Sequence, residues 1–293
     1  MENPTAVPKF EPKYEELQSI YDISNEFFEL FLGPTMGYTC GYYESKNTTR
    51  DEAQNAKFDL ALGKLDLQPG ATLLDIGCGW GGGMQRAIEN YDVNVIGLTL
   101  SERQREYAIG KLAKVPTTRN IEVRLQGWEE FEGKVDRIVS IGAFEHFGHK
   151  RYPAFFEMAY NALPKDGRML LHTITTISGS EEAQSKGIPL TLELARFVLF
   201  IIKEIFPGGQ LPSASMPREY ATAAGFTVSR DDEIGPNYVR TLQDWAAALA
   251  AHRDEAISAQ SQEAYDRYDK YLNGCVRLFR EDCTSVHQYT LQK

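Results

Sequence analysis

Thr72-Leu-Leu-Asp-Ile-Gly-Cys-Gly-Trp-Gly-Gly-Gly83 decides the fold, because it reads as a buried strand running straight into a glycine loop and then a helix. Leu73, Leu74 and Ile76 are the apolar strand, Gly77, Gly79 and Gly82 fit G-x-G-x-x-G, and Met84 to Tyr91 has helical composition. Backbone N–H groups at a helix N-terminus would then meet a nucleotide-type ligand. A glycine turn used only for tight strand–helix packing is the competing reading. Asp75 separates the two, since a dinucleotide-binding strand would continue apolar there. The next strand, Asn94 to Ser101, also ends without the acid that grips an NAD ribose about 20 residues past the glycines. An acid at Asp75 suits a ligand with a cationic ammonium group and a sulfonium, and S-adenosylmethionine carries both.

Composition narrows the function. The chain has 293 residues, 42% hydrophobic and 11% aromatic, enough for one elaborated domain with a full core. A net charge of -10 disfavours nucleic acid and anionic membranes, whose charge would repel it. Cys40, Cys78, Cys275 and Cys283 show neither C-x-x-C spacing nor disulfide-rich density, and no signal peptide opens the chain, so a cytoplasmic location is expected. The most apolar run, Phe197 to Ile202, falls far short of the ~20 residues of a membrane span.

Around the glycine loop, strands and helices alternate. Strands are expected at 93–98, 121–126, 135–141 and 168–174, with helices at 51–67, 101–113 and 152–163. This is the rhythm of a doubly wound sheet, whose ligands sit beyond the carboxyl ends of the strands. Residues 1–13 read as an entry arm. The aromatic-faced stretch from Tyr14 to Leu32 predicts one or two amphipathic helices that either pack on the core or wall a site. Gly37 to Tyr43 is too aromatic for a solvated connector. The rhythm breaks at 178–212, where an apolar helical segment, Leu190 to Phe206, predicts a substrate lid or tunnel wall. A short strand at 226–228, a helical run from Thr241 to about Arg280 and a strand from Ser285 to Leu291 complete the chain.

Several blocks together resemble one family, the S-adenosylmethionine-dependent cyclopropane fatty acid synthases, and within it the mycobacterial mycolic acid cyclopropane synthases and methyltransferases. They are Tyr38-Thr-Cys40, Leu74 to Gly81, Gly97-Leu-Thr-Leu-Ser101 with Gln104, Gly127-Trp-Glu129, Ser140 to Gly148, Leu171-His-Thr173 and Glu204 to Gly209. The resemblance covers nearly the whole chain as a single domain, with residues 1–50 as a helical cap and active-site loop. It implies a class I methyltransferase fold, α/β and Rossmann-like, with a mixed seven-stranded sheet, helices on both faces and a helical lid. The family's cofactor contacts map onto Tyr38, Thr39, Gly77, Thr99, Leu100, Gln104, Trp128 and Glu129, joining Asp75 and Gly79 of the glycine loop. Gln104 and the backbone near Thr99 would replace the missing ribose acid. Trp128 would lie against adenine, unless it is only a packed core tryptophan.

The expected chemistry is attack of an alkene on the sulfonium methyl, leaving a carbocation that needs aromatic faces, excluded water and a base. By resemblance Tyr21 faces the cation, Phe206 and Leu211 line the acyl channel, and a bound bicarbonate is the base. Its holders would be the Cys40 loop, the Ile141 backbone, Glu145, His172 and Tyr238. Glu145, read as lying at the end of a central strand, could also be a solvated cap, and His172 a hydrogen-bonded core histidine. Glu145, His146 and His149 fall short of a zinc signature, so no metal is expected. Two departures from the family pattern stand out. Asn237 replaces a common histidine, which bears on how Tyr238 is placed, and Gly83 adds a glycine that predicts a looser helix start. Gly142 matches ring-forming members, whereas members that make hydroxylated products carry an acid there. The implied substrate is a long unsaturated acyl chain on an acyl carrier protein. A methyl-branching or hydroxylating enzyme, or a non-catalytic S-adenosylmethionine or lipid binder, would share most of these features.

Overall fold

A computed structural model describes residues 10–14, 18 and 23–293. Its centre is a mixed sheet of seven strands in the order β3-β2-β1-β4-β5-β7-β6. The parallel part is β1 (Thr72–Ile76), β2 (Asn94–Thr99), β3 (Ile121–Leu125), β4 (Arg137–Ile141) and β5 (Arg168–Thr176). β7 (Thr284–Gln292) inserts antiparallel between β5 and β6 (Thr227–Glu233). The strand expected at 226–228 is therefore longer. Its sequence Ser229-Arg-Asp-Asp-Glu233 is polar because this edge strand is largely solvated, so apolar patterning ends before the strand does.

Both sheet faces are covered, as alternate residues of one strand show. Leu74 and Ile76 of β1 pack with Phe155 and Phe156, whereas Leu73 joins Met84, Ala87 and Leu112 on the opposite side. The first five helices among the described residues are α1 (Asn25–Leu32), α2 (Arg50–Leu62), α3 (Gly82–Tyr91), α4 (Glu102–Leu112) and α5 (Tyr152–Ala162). The helix expected at 51–67 ends at Leu62. A capping box fixes its start, with Glu52 N–H on the Thr49 hydroxyl and Thr49 N–H on the Glu52 carboxylate, and Gly63 closes it. Leu65 and Leu67 extend the apolar pattern from a buried turn rather than from a helix.

Residues 178–212 contain α6 (Ser180–Ser185), α7 (Leu192–Phe200) and a π-type turn, Ile201–Ile205. After α8 (Met216–Ala223), the single helical run expected from 241 to 280 is three helices: α9 (Pro236–Ala251), α10 (Arg253–Ala259) and α11 (Gln262–Arg280). The breaks fall at His252 and at Ser261, whose side chain caps α11 by accepting from Ala264 N–H. α1, α9 and α11 share an aromatic core. Phe27, Phe28 and Phe31 are fully buried against Tyr268, Tyr38, Trp80 and Trp245, so for these rings the core-packing alternative holds. Among the described residues no helix is long and apolar enough to cross a membrane.

Candidate active site

Beyond the carboxyl ends of β1, β2 and β4 lies a cleft of about 140 Å³. Tyr38, Thr39, Asp75, Gly77, Gly79, Thr99, Leu100, Gln104, Trp128 and Glu129 all line it. Asp75 is buried, and burial raises its carboxyl to about 7 while the nearby Lys57 charge opposes the shift. Gly79 has φ +53°, and a Cβ there would point into open space, so the loop offers bare backbone to the cleft. Gln104 accepts from the Thr99 hydroxyl at 2.9 Å. Trp128 packs edge-on to Phe155, 5.4 Å between centroids, yet its Nε1 is buried without a partner among the described residues, as is Glu129 Oε2. Glu129 Oε1 is held by Arg151 at 2.7 Å. A buried acid, a bare glycine loop and two unsatisfied polar atoms of opposite sense fit a zwitterionic ligand carrying a polar heterocycle and hydroxyls, as S-adenosylmethionine does.

A second, larger cavity of about 1020 Å³ meets the first at Tyr38, Thr39, Gly142 and His146. Its walls are mainly apolar. Leu194, Val198 and Ile202 of the 178–212 segment contribute, with Phe206, Leu211 and Leu242. At its polar corner are Glu145, His172 and Tyr238. Glu145 is not at a strand end as expected but in a tight turn, Phe144–His146, four residues past β4. Phe144 stacks on Tyr152 at 3.9 Å and fixes that turn. Glu145 Oε1 accepts from Ile174 N–H at 2.7 Å, and Oε2 is buried with no partner among the described residues. Burial raises its carboxyl to about 7, against the hydrogen bonds that favour ionisation. His172 pairs with Ile141 across β4 and β5, and burial with the Lys57 and Lys64 charges keeps it neutral, well below the usual imidazole range.

Some expected site residues fall elsewhere. Cys40 lines neither cavity; its thiol lies near the Gly41 and Ile234 carbonyls, at 3.2 and 3.8 Å, and burial raises it far above the usual thiol value. Ile141 lines the first cleft, not the larger cavity. Tyr21 is outside the described residues. His149 Nε2 sits 3.0 Å from the Leu211 carbonyl, and no group of three metal-binding side chains occurs among the described residues.

Three glycine and asparagine readings change. Gly83 does more than loosen a helix start, since a Cβ would come within 3.3 Å of both Asp75 Oδ2 and the Phe58 ring. Gly142 has φ +69°, and a Cβ would meet Thr39 Cγ2 at 2.3 Å, so its first requirement is backbone and space. Asn237 accepts from Tyr43 N–H at 2.9 Å and donates to the Ile234 carbonyl at 3.0 Å, tying the aromatic loop to the start of α9 beside Tyr238.

Sequence reasoning missed Gln54 and Lys57, both fully buried on one face of α2. Gln54 Nε2 donates to the Thr39 carbonyl at 2.7 Å and Lys57 Nζ to the Thr39 hydroxyl at 2.8 Å. They grip the residue that stands between the cavities. The only local signal was a glutamine and a lysine three apart on the buried side of an amphipathic pattern.

The model of the family described as mycolic acid cyclopropane synthetase matches residues 9–289. The chain belongs to this family. It is 59% identical over 282 residues to the S-adenosylmethionine-dependent methyltransferase UmaA of Mycobacterium tuberculosis, covering 96% of this chain and 98% of that one. The structure of the cyclopropane synthase MmaA2 from the same organism is 53% identical, with a TM-score of 0.96 over 98% of this chain and 100% of that one. The mycolic acid cyclopropane synthase CmaA1 complexed with SAH and CTAB superposes with a TM-score of 0.94, at 53% identity over 98% of this chain and 100% of that one. The fold is thus the class I S-adenosylmethionine-dependent methyltransferase fold of this family.

Proposed function

We propose that this protein transfers a one-carbon unit from S-adenosylmethionine to a double bond of a long, mycolic-type acyl chain carried on an acyl carrier protein, and closes a cyclopropane ring. The carrying observation is the meeting of two cavities at Tyr38, Thr39, Gly142 and His146, one lined by the buried acid Asp75 and the glycine loop, the other larger and mainly apolar. A family member crystallised with SAH and the lipid-like detergent CTAB supports the same division of labour.

When bound, S-adenosylmethionine supplies an electrophilic methyl group and bicarbonate a base. Asp75 would hold the ammonium, Gln104 the ribose, and Trp128 with Glu129 the adenine end. The apolar walls would exclude water, and Tyr38, Phe206 and Tyr271, whose rings meet at centroid distances of 6.2 and 5.7 Å, line the cavity where aromatic rings would stabilise a cationic carbon of the acyl chain. Glu145, raised to about 7, is largely protonated below that pH and can donate from its unpartnered side to an anion, which fits bicarbonate in the corner with His172 and Tyr238. Gly142, packed on Thr39, brings no acid that could hold water near the cation. The lid at 178–212 would close over the acyl chain.

The 59% identity to UmaA, named a methyltransferase, favours a second reading in which a methyl or hydroxylated branch forms without a ring. Mass spectrometry with proton NMR of the product made from a cis-unsaturated acyl carrier substrate separates the readings. Ring closure gives high-field cyclopropyl protons. A branched alkene of equal mass or a heavier hydroxylated product overturns it, and unchanged substrate overturns methyl transfer.

A further inference from the structure

Three neighbouring strands place His172, Gln288 and Asp232 in one cross-strand row. His172 is opposite Gln288 in the β5–β7 register and Gln288 opposite Asp232 in β7–β6, so their side chains share a sheet face. Lys64, from the turn after α2, reaches over that row. Its Nζ donates to Gln288 Oε1 at 2.6 Å and is paired with Asp232 at 2.6 Å. Gln288 Nε2 lies 3.3 Å from His172 Nδ1, with Gln288 and His172 both buried.

The donor and acceptor inventory leaves one solution. An ammonium group has only donors, so the Gln288 atom facing Lys64 must be the carbonyl oxygen. The amide NH2 then faces His172, and an NH2 can only donate. His172 Nδ1 must be the bare acceptor. In a neutral imidazole the proton is then on Nε2. We propose that Lys64 and Gln288 are positioning residues that lock His172 as the Nε2–H tautomer, making it a fixed hydrogen-bond donor at the polar corner of the acyl cavity.

The consequence is a role for His172. A donor with no free basic nitrogen cannot act as general base; it can hold an anion or a carboxylate oxygen. This rests on the reading that an anion occupies the corner, but the tautomer is a property of the resting protein and is measured without substrate. Burial, with the nearby Arg230 charge, lowers the Lys64 ammonium from its ordinary value, and the Asp232 carboxylate 2.6 Å away opposes that shift.

The test is imidazole 15N NMR of the full-length protein labelled in its five histidines, with His172 assigned by loss of signal in His172→Gln. At pH 7.5 (roughly one unit above the ordinary imidazole value), wild type should show a protonated Nε2 and an unprotonated Nδ1 at His172. Gln288→Glu puts an acceptor at Nδ1 and should invert that pattern, with turnover down about 10–100-fold and the cofactor KM unchanged, the scale of lost outer-sphere support. Lys64→Met frees the amide to turn and should mix the tautomers, and Lys64→Arg should restore the wild-type pattern. A wild-type His172 with the proton on Nδ1 overturns the proposal even if the variants fail to fold. A Gln288→Glu protein with an unchanged tautomer overturns it too. Loss of cyclopropane product alone would bear on the proposed function and leave the tautomer standing.

Discussion

Two buried carboxyls, Asp75 and Glu145, are both lifted to about 7 by burial, yet they face different cavities and have different tasks. Asp75 must be ionised to pair with an ammonium. Cofactor binding below about pH 7 therefore expels its proton, and affinity should fall as pH drops from 7 to 5, by at most about tenfold per unit. Calorimetry in two buffers of different ionisation enthalpy checks this through the proton released, and Asp75→Ala should abolish both the binding and the signal. Glu145→Ala, which removes the donor that a glutamine would keep, should leave cofactor affinity intact while turnover falls at least ~100-fold, the scale of a dismantled acid–base system. Its stability signature has a definite sign. A carboxyl raised from 4.5 to about 7 favours the fold while protonated, so the apo protein loses that contribution as pH rises through the window from 4.5 to 7. Melting temperatures of wild type and Glu145→Gln should diverge across that window, with wild type falling relative to the variant, and parallel curves would refute the assignment.

At the scale of elements, α2 and the lid do unlike work. α2 is a rigid, boxed helix whose buried face supplies Gln54 and Lys57 to one threonine. Burial lowers Lys57 to about 7, with Cys40 and Asp75 opposing, and its Nζ also lies 3.6 Å from the Phe58 ring centroid. Gln54→Leu should slow turnover tenfold or more by freeing Thr39 at the boundary of the cavities, the sensitivity expected when reacting groups shift by about 1 Å. Single-turnover rates with saturating cofactor measure this. α7 instead exposes Leu192 and Leu199, at 78% and 53%, although both line the acyl cavity. Unlike the core helices, it has apolar side chains that no element among the described residues covers, which suits a segment that meets an acyl chain. Leu199→Glu should raise the KM for a long acyl substrate severalfold, since a partly buried leucine contributes on the order of 1 kcal/mol, while calorimetric cofactor affinity stays at the wild-type value.

For the whole molecule, the four cysteines are free and buried, and burial raises every thiol. Cys275 and Cys283 line the acyl cavity, whereas Cys40 lines neither cavity and Cys78 lines the cofactor cleft. A thiol reagent applied to the native protein should therefore label slowly, Cys275 and Cys283 before Cys40, and a long-chain ligand should protect those two. Peptide mapping by mass spectrometry reads the order. Rapid labelling of Cys40 in the folded protein would contradict the packing described for its loop.

Local order was legible in the chain because strand, turn and helix signals are short-range. The Thr72 to Gly83 stretch carries its own strand, glycine turns and acid, so it pointed to the cofactor cleft, and the alternation of strands and helices after it pointed to the parallel part of the sheet. The family blocks carried the expected class of chemistry with it. What sequence could not decide was set by contacts between residues far apart in the chain. Ser229 to Glu233 is polar at an exposed edge, so only pairing with β7 makes it a strand. Gly142 carries a packing demand beside its proposed role in the product, because Thr39, from a distant part of the chain, lies 2.3 Å from where its Cβ would stand. His172 gives no sign of its tautomer, because its partner, Gln288, is 116 residues away, and that partner's orientation is set by Lys64, from another element. Sequence patterning reports which faces are apolar and where turns fall. Which polar atom meets which is fixed only when the antiparallel β7 slots between β5 and β6 and brings the row together.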